Sequence, residues 1–344
     1  MTNDDRVQAG DLDPALPRTD AEVAASALPH GVKKVALFFL KYVVGISLIV
    51  WMVWTGKVDL SVLTSLPATL LAEALVLAGI LALLGAVRVR YLLSKQGIHT
   101  GMWQCFLYNC TGILYSAFLP GGISGDAVRA YLFMKAVPGH RLAILGAMML
   151  DRVLGLVSMV FLGLVAALYL AINVAFIRPY LLGFTAIFVA LVGSVAVLQF
   201  IGARHRHDGP DAEGFVGKAW HRVKTMVASL RIHDYRASVL AFVVVQSMVI
   251  HLVLVALIYV CSVHSDAALD LVRVFVATPI GVLVNAVPLS PGGLGIGENA
   301  FEVLYAMLGG RNGATSFLLA RVFMYSPALV GFVYVLKRMV TRAQ

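Results

Sequence analysis

Charged residues are scarce in this sequence. Only 13% of its 344 residues are Asp, Glu, Lys or Arg, whereas 60% are hydrophobic. The mean hydropathy of +0.87 excludes an ordinary soluble domain. Several apolar runs reach the roughly 20 residues that an α-helix needs to cross a bilayer, and the sequence lacks the alternating pattern of an outer-membrane barrel. We therefore predict an all-α, polytopic membrane protein.

The sequence also contains few cysteines and few of the usual catalytic patterns. The three cysteines, Cys105, Cys110 and Cys261, all lie in apolar segments. Their odd number and their spacing favour neither a disulfide framework nor a zinc site. The sequence contains no P-loop and no pattern typical of a nucleophile with its base. We expect buried thiols, no metal, no cofactor and no enzymatic activity.

Acidic residues are outnumbered by basic ones, 18 to 27, which gives a formal net charge of +9. The basic residues cluster in loops between apolar runs, as the positive-inside rule and anionic lipid surfaces favour. No basic and aromatic array suggests nucleic acid, so we expect a membrane lipid as the partner. With the basic loops in the cytoplasm of a bacterial inner membrane, both termini lie inside. The six full spans are then near Val35–Trp54, Leu66–Val87, Leu142–Ala171, Tyr180–Ile201, Val239–Val263 and Ala314–Leu336.

The first 32 residues differ from the rest of the chain. They are polar and lack the apolar core of a signal peptide. We interpret residues 1–32 as a disordered cytoplasmic tail. Residues 33–344 are predicted to form a single transmembrane domain with a cytoplasmic loop at 202–236. An oligomer is compatible with this organisation, and the sequence leaves the oligomeric state open.

Two segments rich in glycine and proline interrupt the apolar pattern, Leu119–Asp126 and Pro288–Glu298. A helix broken in lipid leaves backbone groups unpaired, so such breaks persist only within protein or beside a wet cavity. Paired breaks in two halves are typical of transporters. The charges of the loops place both ends of region 101–138 on the cytoplasmic side of the membrane and both ends of region 269–309 on the opposite side. We predict two re-entrant helical hairpins in an inverted repeat, and eight or more kinked spans are the alternative. The repeat halves would be residues 66–171 and 237–338.

Ionisable residues within the apolar runs are the candidate binding residues, because stranding a charge at bilayer depth costs several kcal/mol. They are Asp126, Asp151, Arg152, Glu298 and Arg321. Arg152 lies about ten residues, or about 15 Å, into its span. That depth is near the middle of a hydrocarbon core of about 30 Å. In each half a carboxylate at the break precedes an arginine in the next span.

We predict that each break forms half of an anion site. A helix N-terminus enters the membrane there, and its free N–H groups and dipole favour an anion. The glycines allow close backbone approach, and the arginine of the following span offers a planar fork that suits phosphate. The carboxylates Asp126 and Glu298 would cap their helices or neutralise the arginines. The predicted binding set also includes Ser124, Arg129, Gly121, Gly122, Gly292 and Gly293.

A purely structural interpretation of the same charges is open. Asp126 and Arg129 are three residues apart and can pair on one helix face. The arginines of the spans can tie helices together through the carboxylates without any ligand. Asp151 and Arg152 are adjacent, so their side chains point about 100° apart on a helix and need not pair. Three basic residues near the end of the second span are expected to reach towards the lipid headgroups, namely Arg88, Arg90 and Lys95.

Four segments carry a resemblance to a known family. They are Leu119–Arg129, Leu150–Leu154, Pro288–Glu298 and Ala320–Arg321. Together they resemble the lysylphosphatidylglycerol synthase transmembrane family, the flippase-like module of multiple-peptide-resistance factors and their stand-alone relatives. The resemblance covers nearly everything after about residue 35. Asp151 stands where many relatives have a glutamate, a change that keeps the charge.

The resemblance implies a lipid translocator. Fused members carry a soluble aminoacyl-transfer domain after this module, and the sequence to Gln344 lacks one, so we expect no lipid aminoacylation. Stand-alone relatives are linked to phospholipid, polyprenyl-phosphate sugar or hopanoid pathways. The family resemblance therefore leaves several lipid classes open as substrates.

The leading hypothesis is a flippase or scramblase that moves a phospholipid or a polyprenyl-phosphate-linked lipid between leaflets. No ATP site is recognisable, so movement would be passive or driven by an ion gradient. On this hypothesis Arg152→Ala and Arg321→Ala abolish transport and leave the protein folded. One alternative is a non-transporting partner that presents a lipid to a separate synthase or glycosyltransferase. Another is a membrane transferase in which Glu298 or Asp126 is catalytic.

Overall fold

The computed structural model supports the predicted fold class. Every described secondary-structure element is a helix, and all described residues belong to one unit, Lys41–Gln344. The predicted tail 1–32, most of the span Val35–Trp54 and most of the loop 202–236 lie outside the described residues. The structure describes residues 43, 46–64, 66–118, 124–173, 178–205, 225, 229–287 and 290–343.

The main helices include both long and short ones. Five stretches are long and apolar enough to cross a membrane, and they match five of the predicted spans: Ala68–Lys95, Arg141–Tyr169, Leu181–Ile201, Ala237–His264 and Gly313–Thr341. The helices are α1 (Ala68–Lys95), α2 (Met102–Phe118), α3 (Ser124–Ala136), α4 (Arg141–Asn173), α5 (Arg178–His205), α6 (Ala237–His264), α7 (Leu271–Asn285), α8 (Ile296–Met307), α9 (Gly313–Tyr325) and α10 (Ala328–Ala343).

The last predicted span is broken near its middle. α9 ends at Tyr325 and α10 begins at Ala328. Pro327 lies between them and has no amide hydrogen, so it cannot donate to the carbonyl four residues earlier. The Ser326 amide instead donates to the Phe323 carbonyl at 2.9 Å, a tighter turn. Proline is therefore the physical cause of the break.

Small residues allow α1 and α6 to pack closely. Buried residues recur every four positions along α1, at Leu70, Ala74, Ala78, Ala82 and Ala86. This stripe joins two hydrophobic cores, because its first half packs with the end of α6 and its second half with the start of α6. Small side chains at such positions let transmembrane helices approach at backbone distance.

The connection into α6 is tied to neighbouring helices by side-chain hydrogen bonds. The Tyr235 hydroxyl donates to the Leu92 carbonyl at 3.1 Å, and Gln96 Nε2 donates to the Arg231 carbonyl at 2.9 Å. Burial raises the pKa of Tyr235 to about 12, so the hydroxyl keeps its proton and remains a donor at neutral pH. These bonds hold the described end of the 202–236 loop against α1.

Two pairs of short helices form the regions in which hairpins are predicted. α2 packs against α3, and α7 packs against α8. Their lengths of 17, 13, 15 and 12 residues fall below the roughly 20 residues of a full span. α2 also packs on α10, and α7 packs on α4, so each pair contacts the other half of the chain. This reciprocal packing is what repeat halves would give; the re-entrant insertion and the inverted repeat stay predictions.

The two helices of the first pair, α2 and α3, are in close contact at a glycine of α3. A Cβ atom at Gly125 would lie 1.9 Å from Ser116 Oγ and 2.2 Å from the Gly112 carbonyl oxygen. Gly125→Ala should therefore push α2 and α3 apart and lower the free energy of unfolding by about 1–3 kcal/mol. Chemical or thermal unfolding in detergent measures this loss.

Gly79→Ala is the matched control, because a Cβ there meets nothing within 4 Å. Alanine in a helix interior is favoured over glycine by about 1 kcal/mol, so this variant should be as stable as the parent or more so. Equal stability of the Gly79 and Gly125 variants would contradict the close contact.

Candidate functional site

Asp126 lies in the first turn of α3 and receives two arginines. Its Oδ1 atom accepts from Arg129 Nη2 at 3.0 Å, and its Oδ2 atom accepts from Arg152 Nε. The first contact confirms the predicted pair on one helix face, and the second ties α3 to α4. Asp126 is therefore shared between a residue of its own helix and one of the following span.

Asp151 also receives two arginines, and Arg152 is not one of them. Arg129 Nη2 donates to Asp151 Oδ2 at 3.1 Å. Arg88 donates from Nε to Oδ1 at 2.6 Å and from Nη2 to Oδ2 at 3.1 Å, a bidentate pair. The carboxylate side chain is only 1% exposed. Such a buried charge persists only when it is paired.

The prediction that Arg88 reaches lipid headgroups is wrong. Its side chain is 13% exposed and points to Asp151, and its Nη1 atom donates to Ser247 Oγ on α6 at 2.9 Å. The buried carboxylate of Asp151 binds the guanidinium of Arg88 in preference to the headgroups, because it offers two oxygens to the same guanidinium and no solvent separates them. The one sequence signal was that Asp151, deep in an apolar run, needed a cationic partner.

These charges form an alternating chain, which we call the first ion network: Arg88, Asp151, Arg129, Asp126 and Arg152. Asn109 extends it, because Asn109 Oδ1 accepts from Arg129 Nη1 at 3.0 Å while Nδ2 donates to the Ala82 carbonyl at 2.9 Å. Four of the five charged side chains are largely buried, whereas Arg152 is 55% exposed. The network thus ends at an accessible guanidinium.

A simpler arrangement, the second ion pair, lies at the second break. Arg321 Nε donates to Glu298 Oε1 at 2.6 Å, and Glu298 Oε2 accepts from the Gly295 amide at 2.7 Å. The carboxylate therefore caps α8 and neutralises the arginine at once, the two roles predicted as alternatives. The side chains are 0% and 6% exposed.

The remaining donors of Arg321 are used by the break itself. Nη1 donates to the Gly292 carbonyl, and Nη2 donates to Asn285 Oδ1 at 2.7 Å and to the Gly293 carbonyl at 3.3 Å. Gly293 has φ +73°, and a Cβ there would lie 2.2 Å from Asn285 Oδ1. Glycine is thus required both by the backbone conformation and by the close approach.

The predicted site residues therefore fall into two groups. The first network contains Asp126, Arg129, Asp151 and Arg152, with Ser124 two residues before Asp126 at the start of α3. The second group contains Gly292, Gly293, Glu298 and Arg321. Gly121 and Gly122 lie outside the described residues. Sequence reasoning missed Arg88 and Ser247. A ligand role for either group stays a prediction.

Metal-ligand clusters are not found within the described ranges: no group of three or more His, Cys, Asp or Glu side chains could hold a metal ion there. The three cysteines are buried free thiols. The described geometry offers charge pairing and hydrogen bonding by guanidinium groups.

Comparison with known proteins identifies the family. No curated protein matches the chain. The profile described as the lysylphosphatidylglycerol synthase TM region matches residues 38–331, which confirms the resemblance drawn from the sequence motifs. The chain belongs to this lipid-related family of membrane proteins, the lysylphosphatidylglycerol synthase transmembrane-region family.

Proposed function

We propose that this protein moves a phosphate-bearing lipid between the leaflets of a bacterial inner membrane, without changing the lipid chemically, and that both termini are cytoplasmic. The phosphate binds at the first ion network. One observation carries the proposal: Arg152, in the interior of a membrane-spanning helix, keeps a side chain that is 55% exposed. A phospholipid or a polyprenyl-phosphate-linked lipid would suit the site.

The depth of Arg152 makes its exposure costly without a ligand or a wet cavity. The residue is eleven positions after the start of α4 at Arg141, or about 16 Å along the helix. A charge facing lipid at that depth costs several kcal/mol. A wet cavity beside Arg152 would remove this cost, and a lipid headgroup that entered it would meet a cation.

The hydrogen bonds of Arg152 leave it ready for a phosphate. Nε donates to Asp126, and the Nη groups make no hydrogen bond to any residue in the described parts of the chain. A guanidinium with two free Nη groups can grip two phosphate oxygens side by side. The start of α3 at Ser124 adds the positive end of a helix dipole near Asp126.

The two short helix pairs would provide the path. We propose that they are re-entrant hairpins of an inverted repeat, entering from opposite faces. Their arms approach at the breaks, because a Cβ at Gly292 would lie 3.6 Å from the Ser116 carbonyl oxygen. A lipid headgroup that leaves the first break would therefore already be close to the second break. It would reach that break without crossing the whole membrane.

The two arginines have different roles in this proposal. Arg321 makes four hydrogen bonds to protein acceptors and is buried, so a ligand would have to displace most of them. We assign the phosphate to Arg152 and a positioning role to Arg321, which holds the second break in shape. Substitution of Arg321 should then act through stability, unlike the effect expected from the sequence alone.

Lipid binding and transport are the direct tests. Native mass spectrometry of the purified protein should retain one lipid class, and proteoliposomes should move that lipid between leaflets. Retention without transport by the purified protein would favour the lipid-presenting partner instead. A non-selective lipid profile combined with no transport would overturn the proposal. A new covalent lipid product would reveal a transferase.

A further inference from the structure

We propose that the group bound at Arg152 carries a single negative charge, as a phosphodiester does, and that phosphomonoesters and diphosphates are disfavoured. This inference rests on the proposed function and narrows its substrate class. It follows from the charges of the first ion network rather than from the shape of a cavity.

The network has an odd number of charges. Among the described residues, three guanidinium groups, Arg88, Arg129 and Arg152, face two carboxylates, Asp126 and Asp151, which leaves a net charge of +1. The other hydrogen-bonding partners, Asn109 and Ser247, are neutral. Within a medium of low dielectric constant an uncompensated charge is costly. One monoanion brings the network to neutrality.

The connectivity places the surplus charge at the accessible end. Arg88 donates two hydrogen bonds to the Asp151 carboxylate, and Arg129 donates to the carboxylates of both Asp126 and Asp151. Within the described parts of the chain, Arg152 makes a single hydrogen bond, to one oxygen of Asp126. The charge without a full counterion is therefore that of Arg152, the residue that a lipid can reach.

The hydrogen bonding of Arg129 independently indicates that a hydrogen-bond acceptor is missing from the network. The residue is 6% exposed, and its buried Nε–H has no hydrogen-bond partner in the described part of the chain. A buried donor without a partner costs about 1–3 kcal/mol. An oxygen brought by a ligand would satisfy it. The three donor atoms of Arg321 are all occupied by protein.

Phosphate chemistry then separates candidate ligands. A phosphodiester carries one negative charge, whereas a phosphomonoester approaches two above its second pKa of about 6. The second charge would turn the network from neutral to negative in a region of weak screening. The second ion pair is already neutral, one arginine to one glutamate, so it needs no ligand charge at all.

The experiment compares phosphatidylglycerol, a diester, with phosphatidic acid, a monoester, at a pH above the second pKa of the monoester. Retention by native mass spectrometry and transport in proteoliposomes are measured separately. Wild type should prefer the diester by about tenfold, which corresponds to 1.4 kcal/mol. Asp126→Asn raises the network charge to +2, so its preference should move to the monoester.

Controls make the outcome specific. Asp266→Asn removes an exposed carboxylate that pairs with Arg311 outside the network, and it should keep the wild-type ratio. Arg152→Gln should lose retention of both lipids, and it serves as the second variant if Asp126→Asn does not fold. Equal retention of both lipids by wild type, or an unchanged ratio in Asp126→Asn, would overturn the inference. Transport of neither lipid would count against the proposed function, and the retention ratio would still decide the charge inference.

Discussion

Glu298→Ala is expected to lower the free energy of unfolding by about 3–5 kcal/mol, the usual cost of stranding one member of a buried ion pair. The substitution leaves the guanidinium of Arg321 without its carboxylate in a place where both side chains are almost wholly buried. It also removes the acceptor of the Gly295 amide at the start of α8. The whole second break should loosen, and unfolding in detergent measures the loss.

Glu302→Ala is the matched control for this prediction. Glu302 lies one turn further along α8 and, among the described residues, accepts only from the Ala314 amide, at 2.9 Å, so its loss should cost about 1 kcal/mol. The double substitution Glu298→Leu and Arg321→Met should recover much of the stability, because a neutral apolar pair carries no stranded charge. Equal effects of the two glutamate substitutions would contradict a buried ion pair.

Arg152→Gln should reduce lipid transport by about tenfold or more and leave stability nearly unchanged. The loss follows from the guanidinium fork, since truncating one partner of a close charge pair costs about 2–5 kcal/mol of binding. Stability should fall by no more than about 1 kcal/mol, because the side chain is half exposed and makes one ion pair. Transport in proteoliposomes and unfolding in detergent are measured on the same preparations.

Two further variants make the transport test of Arg152 more specific. Arg152→Lys keeps the charge but loses the planar fork, so it should retain only part of the transport. Arg311→Gln is the control, because Arg311 is also an exposed arginine paired with an aspartate and lies outside the network. Full transport by Arg152→Gln would rule out a ligand role for this residue. Equal losses in the Arg152 and Arg311 variants would point to a general charge effect.

Hydropathy was enough to predict most of the described helical elements. Five predicted spans recur as long apolar helical stretches, because in lipid every backbone group must be paired within the helix. The two breaks were visible as glycine and proline. What hydropathy missed was the interruption at Pro327, since that proline lies within an otherwise continuous apolar run.

The partners of the charged residues were less predictable. Asp126 with Arg129 followed from their spacing, because residues three apart share a helix face. The pair of Arg88 with Asp151 joins residues 63 positions apart, and no local rule connects them. The roles of Asn109 and Asn285 as partners of Arg129 and Arg321 depend on how α2 and α7 pack.

The sequence by itself determined that this protein is all-α and polytopic, where two of its helical breaks lie and which ionisable residues lie in apolar surroundings, because these properties follow from local composition and the bilayer's demand for paired backbone groups. Only the tertiary structure decided that one arginine is accessible and the other enclosed. That difference arises from helix packing, which gives Arg321 four protein acceptors and leaves Arg152 at the open end of a network with one positive charge in excess.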